Sequence, residues 1–401
     1  MNCGELKNRI VLIFTFLLTV PWFYIKLMGV ALSPPLIAFF SGLCVVAAGF
    51  LLAWACETAE MDVPKSLAVA VVALIAVLPE YAVDGYLAWM AGKDPEYIHY
   101  AIANMTGANR LLIGIGWSSV VLFAVWKRMK TGSEERFVPL KEGLHLELFF
   151  LMAATIYAFT LPFKAYISVL DAVVLISLYI IYAYMCFKSP MESFEAVGVT
   201  EFLCSLPART RKLSVVGIMV FSALAILFSV EAFADSLIHT GKMFDLDPFL
   251  MVQWVAPLAS EAPEFTVALI FVTKMRYNHS LNVLISSKVN QWTLLLGSIP
   301  LIFSISVGDV AHLPFDHRHV LEVLLTASQS IFAAVLILDR RFSINKALLL
   351  LSLFLIQFAI PTNEVRLVVS VIYLVILVPV AFKYRSGFRP MLSHVRGVIK
   401  R

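Results

Sequence analysis

Charge is scarce in this chain. Only 14 % of its 401 residues are Asp, Glu, Lys or Arg, where a soluble globular protein carries about 25 %. With 60 % hydrophobic residues and a mean hydropathy of +0.87, that shortage excludes a soluble domain. Cysteine is scarce too: five residues, with no CxxC and no Cys/His spacing suited to a metal, rule out a disulfide scaffold and a structural zinc module. Cys3 and Cys204 fall on the side read below as cytoplasmic, and Cys44, Cys56 and Cys186 lie in apolar runs as small buried hydrophobes. HExxH, GxSxG and paired-histidine signatures are missing, which argues against a membrane-embedded enzyme, and no resident cofactor is expected. His145, His239, His279, His312, His317 and His319 all fall at the ends of apolar runs, as solvated histidines do. The net charge of +4 is no sign of a nucleic-acid partner, because where the bases lie matters more than their sum.

Long hydrophobic runs are plentiful. About 20 apolar residues span a bilayer, and stretches bounded by charge, Pro or Gly predict twelve spans, at 10–30, 36–56, 66–91, 98–126, 144–163, 166–187, 213–235, 248–273, 279–306, 319–338, 345–361 and 365–382. The expected fold is an all-α polytopic membrane protein. Of the 31 Lys and Arg, an alternating twelve-span model puts 23 on one side, six on the other and two, Arg110 and Lys288, within spans. By the positive-inside rule this predicts a multi-pass protein of the cell membrane with both termini cytoplasmic.

An internal repeat is visible. Leu78-Pro79-Glu80 in span 3 is matched by Ala262-Pro263-Glu264 in span 8, and the following spans carry Asn109 and Asn290, each seven residues before a glycine (Gly116, Gly297). Spans 2–6 and 7–11 therefore form two five-span units, and an odd unit repeated in tandem must be inverted in the membrane. The expected organisation is an extra N-terminal helix in 1–35, a first repeat in 36–187, a cytoplasmic connection in 188–212, a second repeat in 213–361, and an extra helix with a basic tail in 362–401.

Ionisable groups inside spans cost roughly 2.5–3.5 kcal/mol each on insertion scales, so they are functional candidates. Glu80 and Glu264 each follow a proline, which frees the carbonyl one turn earlier, near Ile75 and Ala259. Carboxylate and carbonyl oxygens together suit a hard cation near the midplane. Helical spacing adds Asp84, Ser260 and Glu261 to the same faces, and the next spans offer Asn104, Asn109, Ser286 and Asn290. Asp171 and Glu322 also fall in or beside spans but have no repeat partner. Glu57, Glu60 and Asp62 crowd the end of span 2 as a solvated cluster, and Glu231 and Asp235 stand at the outer end of span 7, where an ion vestibule would open.

These residues resemble the calcium/cation antiporter superfamily, the sodium/calcium exchanger type, over about 36–361. That family has two inverted five-span repeats, each with a Pro-Glu helix followed by a helix bearing Gly-Asn-x-x-Gly-Ser-Asn. Asn104-Met105-Thr106-Gly107-Ala108-Asn109 matches the second element, with Ala108 in place of Ser. The stretches Val252–Glu264 and Ser286–Thr293 resemble a prokaryotic branch often labelled sodium:proton exchanger. The resemblance implies a secondary active antiporter working by alternating access. Glu80 and Glu264 would be central ligands for a cation, Ca²⁺ or Na⁺, exchanged against H⁺ or Na⁺. The alternative is a cation channel or another membrane-embedded non-exchanger. Departures exist: Ala76 and Val77 replace hydroxyl residues before Glu80, Glu261 replaces one before Glu264, and Arg110 and Lys288 stand where the family has no base. Buried bases need carboxylates, so Asp84 is expected to serve Arg110 and Glu261 to serve Lys288. Lys288 can lose its proton and so couple to H⁺, whereas Arg110 is a fixed charge.

Overall fold

The computed structural model describes residues 3–63, 72–132, 134–141, 143–189 and 196–400. It is almost wholly helical, because a backbone in hydrocarbon must satisfy its own hydrogen bonds. Among the described residues, ten helices are long and apolar enough to cross a membrane: α1 Cys3–Met28, α2 Pro34–Ala59, α4 Glu96–Lys130, α5 Leu144–Lys164, α6 Val169–Lys188, α7 Ala208–Met243, α8 Pro248–Thr273, α9 Tyr277–Val307, α10 His317–Leu336 and α12 Asn363–Lys383. Two more expected spans correspond to shorter helices, α3 Leu78–Ala91 and α11 Ile344–Ala359. The 16 residues of α11 rise about 24 Å, short of a ~30 Å hydrocarbon core. The first part of the span expected at 66–91 lies outside the described residues. The segment expected as a basic tail instead ends in an amphipathic helix, α13 Phe388–Ile399, whose Met391, Val395 and Val398 are buried.

Packing cuts across the sequence repeats. One unit comprises Met1–Leu87 and Ser189–Glu264; the other comprises Ala88–Lys188 and Phe265–Arg401. In the first, α2 packs along α7, its counterpart in the second repeat, and α1 lies against α2. Ile10, Phe14 and Leu17 of α1 stay exposed, as a helix facing lipid requires. Glu57 and Asp62 are less solvated than their clustering suggests. Thr200 Oγ1 donates to Glu57 at 2.6 Å, and Arg211 makes two 2.8 Å bonds to Asp62, holding that carboxyl below the usual range. Gly49 is the tight point of this unit. A Cβ there would lie 2.9 Å from Pro263 Cγ and 3.5 Å from Pro79 Cγ, so both Pro-Glu turns press on one residue of α2. Gly49→Val is therefore expected to destabilise the protein by about 1–3 kcal/mol, as overpacking does. A lowered midpoint in detergent thermal unfolding checks this, with Gly4→Val, whose surroundings are open, as the control.

The second unit is held together by helix-on-helix packing. Helix α6 packs on α9 while its counterpart α11 packs on α4, and α5 packs on α9 while α10 packs on α4. Short strands tie the ends: β1 Phe137–Pro139 pairs with β4 Arg341–Ser343, and β2 Tyr166–Ile167 with β3 Leu313–Pro314, both antiparallel. Helix α5 runs between β1 and β2, so the two ribbons lie at opposite ends of this unit. Strand pairing requires the connections after α4 and α10 to share a side, as twelve alternating spans demand. Helix α10 is the most buried span, and its neighbour α12 is mostly exposed.

Candidate functional site

In the first unit, the missing N–H of Pro79 interrupts the span at Val77 (φ −91°, ψ 11°). The Val77 N–H turns back to the Ile75 carbonyl, so that oxygen, expected to be freed for an ion, already accepts a bond. The helix restarts at Leu78 and puts Glu80 in its first turn, 4 % exposed, with Asp84 buried one turn later. In α8, by contrast, Pro257 and Pro263 sit inside one continuous helix. Glu261 is fully buried there, Glu264 is half-buried, and Ser260 Oγ is directed to the carbonyls of Ala256 (3.3 Å) and Pro257 (3.4 Å).

In the second unit, both repeats change helix type at matching places. A π-helical turn, Leu112–Trp117, follows Asn109 and Arg110 in α4, and another, Gln291–Leu295, follows Asn290 in α9. Such turns widen the helix locally and gather at functional sites. Gly114 admits the Phe354 ring of α11 into the first of them, where a Cβ would collide. Among the sequence candidates, the structure joins Asn109 and Lys288: the ammonium donates to Asn109 Oδ1 (2.6 Å) and to its backbone oxygen (3.2 Å), and stands 4.6 Å from the Trp292 ring centroid. Asn109 Nδ2 donates to Met105 O at 2.8 Å. Asn104 and Asn290 are buried, and Ser286 accepts from Tyr182 Oη at 3.3 Å.

Arg110 has a carboxylate partner that its sequence neighbourhood did not indicate. Its guanidinium forms an ion pair with Glu322 of α10 and donates to Gln357 Oε1 at 2.7 Å. Glu322 also takes Arg366 Nε of α12 at 2.6 Å, and all three charged side chains are almost wholly buried. Glu322 thus answers part of the need of a buried guanidinium for a carboxylate, and it does so while shared with Arg366. Arg366, counted by sequence with the solvent-side bases, is also buried. A signal existed: Glu322, Thr326 and Gln329 repeat at helical spacing along α10, a polar face inside an apolar run. The histidine expectation also needs correction, since His145 and His319 are 3 % and 1 % exposed. Asp171 is likewise bonded, to Lys164, to Tyr157 Oη (2.6 Å) and to Ser168. Asp235 accepts from Tyr86 Oη at 2.8 Å.

A mostly helical chain whose described residues include ten helices long and apolar enough to cross a membrane, with acids, amides and bases buried along them, is a polytopic membrane protein. The chain belongs to the family of sodium/calcium exchanger proteins, whose description matches residues 32–188 and again 214–363. A solved structure of an H⁺/Ca²⁺ exchanger, CAX, is 49 % identical, with 99 % of each chain covered and a TM-score of 0.94. Two structures of the sodium–calcium exchanger NCX_Mj share the fold. One, soaked with 2.5 mM Na⁺ and 10 mM Sr²⁺, is 17 % identical over 80 % of this chain and 97 % of that chain, with a TM-score of 0.52. The other, soaked with 10 mM Na⁺ and no Ca²⁺, is 18 % identical over the same shares, with a TM-score of 0.53. No curated protein matched significantly. The chain is thus a membrane antiporter of the cation/Ca²⁺ exchanger family.

Proposed function

We propose that this antiporter exchanges Ca²⁺ against H⁺ across the cell membrane by alternating access. Glu80 and Glu264 serve as the central ligands, and Asp84, Ser260, Glu261, Asn104, Asn109, Ser286 and Asn290 supply further oxygens. The observation that carries this choice of ions is the 49 % identity, over 99 % of both chains, with a protein described as an H⁺/Ca²⁺ exchanger. Oxygen-only donors also suit Ca²⁺, which takes about 6–8 oxygen ligands. The test is flux in vesicles holding the purified chain. A pH gradient alone should drive ⁴⁵Ca²⁺ uptake, an equal Na⁺ gradient should not, and uptake driven by Na⁺ alone would overturn the ion assignment.

Lys288 is the proposed proton-coupled group. A lysine held by Asn109 and Trp292 can give up its proton without unfolding the protein, whereas an arginine cannot. Lys288→Gln is expected to flatten the pH dependence of Ca²⁺ flux while uptake at the optimum falls less than tenfold. A pH profile identical to wild type removes Lys288 from the coupling.

Both termini are proposed to be cytoplasmic, from the 23-to-six division of Lys and Arg. In intact cells and a Cys-free background, a membrane-impermeant thiol reagent should label a cysteine placed at Leu246, which is exposed just after α7, and spare one at Gly132. The opposite pattern inverts the orientation.

A further inference from the structure

At the end of the second unit that carries the β2–β3 ribbon, three metal-binding side chains from distant parts of the chain come together. They are His99, in the first turns of α4, and Asp316 and His319, at the start of α10. One ligand atom from each lies within 4.8 Å of the others. His99 Nδ1 is 2.9 Å from His319 Nε2 and 3.6 Å from Asp316 Oδ2. A tetrahedral ion with bonds of about 2.0–2.2 Å needs its ligand atoms about 3.3 Å apart, and these two edges bracket that length. We propose that His99, Asp316 and His319 form a binding site for a borderline-soft divalent cation of the Zn²⁺, Co²⁺ or Ni²⁺ class, separate from the ligands proposed for transport.

The donor set selects the class of ion. Two imidazole nitrogens and one carboxylate are poor ligands for Ca²⁺, which wants many oxygens, and suit Zn²⁺ and its neighbours, with a fourth position left for water. The surrounding bonds show how the site accommodates a metal. Asp316 caps α10, its Oδ1 accepting from the His319 backbone N–H at 2.8 Å, and its Oδ2 is turned toward His99. The Asp316 N–H donates to His319 Nδ1 at 3.2 Å, which places the ring proton on Nε2, shared with His99. To ligate through Nε2, His319 moves that proton to Nδ1, which gives up the bond from the Asp316 N–H and donates instead to Asp316 Oδ1, 3.3 Å away. The change is a tautomeric shift with no net proton gained or lost, and it yields the carboxylate–histidine–metal chain that orients ligating imidazoles. His319 is already buried and held, while His99 and Asp316 are about half exposed, so one ligand is preorganised and the others close on the ion.

A bound ion would join α4 to α10, the helices that Arg110 and Glu322 already link. The test is on the purified full-length chain in detergent. Zn²⁺ should raise the thermal midpoint, and Co²⁺ should develop the visible absorption of a low-coordinate nitrogen–oxygen site. Both effects should persist in Glu80→Gln and be lost or weakened at least tenfold in His99→Gln and in Asp316→Asn. Ca²⁺ at the same concentration should not displace the Co²⁺ spectrum. Equal Co²⁺ binding by wild type and His99→Gln overturns the site. Loss of the spectrum in Glu80→Gln also overturns it, by assigning the metal to the transport ligands. Because His99 is half exposed, His99→Gln is expected to fold, and the Co²⁺ spectrum reads the ligand directly even if Asp316→Asn weakens the helix cap.

Discussion

Ca²⁺ uptake is expected to fall to background in Glu80→Gln and, separately, in Glu264→Gln, with yield and elution volume unchanged. Glutamine keeps the size of glutamate and one carbonyl oxygen but removes the charge. Losing one charged partner of a desolvated ion costs about 3 kcal/mol, roughly a hundredfold in affinity. The fold has little reason to object, since each residue sits in a helix whose course is set by the neighbouring proline and by the contact of Pro79 and Pro263 with Gly49. The effect should be symmetric between the two positions, because the repeats place both glutamates directly after their prolines. Counter-ion-driven uptake in proteoliposomes, normalised to reconstituted protein, is the measurement. Wild-type flux in either variant would exclude that glutamate as a ligand.

A second large effect is expected at Glu322, and it concerns stability. One carboxylate stands between Arg110 and Arg366, each almost wholly buried. Glu322→Leu leaves two guanidinium groups in an apolar interior with their shared counter-charge gone, and breaking such a pair costs about 3–5 kcal/mol. The variant should be recovered in much lower yield and unfold at lower temperature. Removing the charges together should be milder: the double variant Arg110→Met/Glu322→Leu should recover part of the loss, because residues in one network couple by about 0.5–3 kcal/mol. Arg110→Lys should not restore the wild type, since an ammonium cannot serve Glu322 and Gln357 through one planar group. Thermal unfolding of the wild type, Arg110→Met, Glu322→Leu and the double variant closes the cycle, and strict additivity would show that Arg110 and Glu322 act independently.

Much of the architecture is legible in the residues themselves. Apolar runs specify membrane spans because the bilayer is a one-dimensional solvent boundary: length and hydropathy decide the outcome with little help from the rest of the chain. The Pro79-Glu80 and Pro263-Glu264 motifs, their spacing to Asn109 and Asn290, and the odd number of spans per repeat likewise follow from chain order alone. Arg110 and Lys288 stand out as buried bases for the same reason.

What the sequence leaves open is which distant side chain each group meets. Glu322 looks like an isolated acid until α10 is packed against α4 and α12, and Arg366 looks like a solvent-side base until that packing buries it. His99 and His319 are 220 positions apart and share a hydrogen bond only because α4 and α10 are neighbours. Even the contrast between the interrupted span at Val77 and the continuous α8 cannot be read from the proline alone, since both carry Pro-Glu. Hydropathy and backbone chemistry act within a segment and can be read there. Ion pairs, π-helical turns, two-residue strands and the division into units that cut across the repeats depend on which helices touch, and only the tertiary structure decides that.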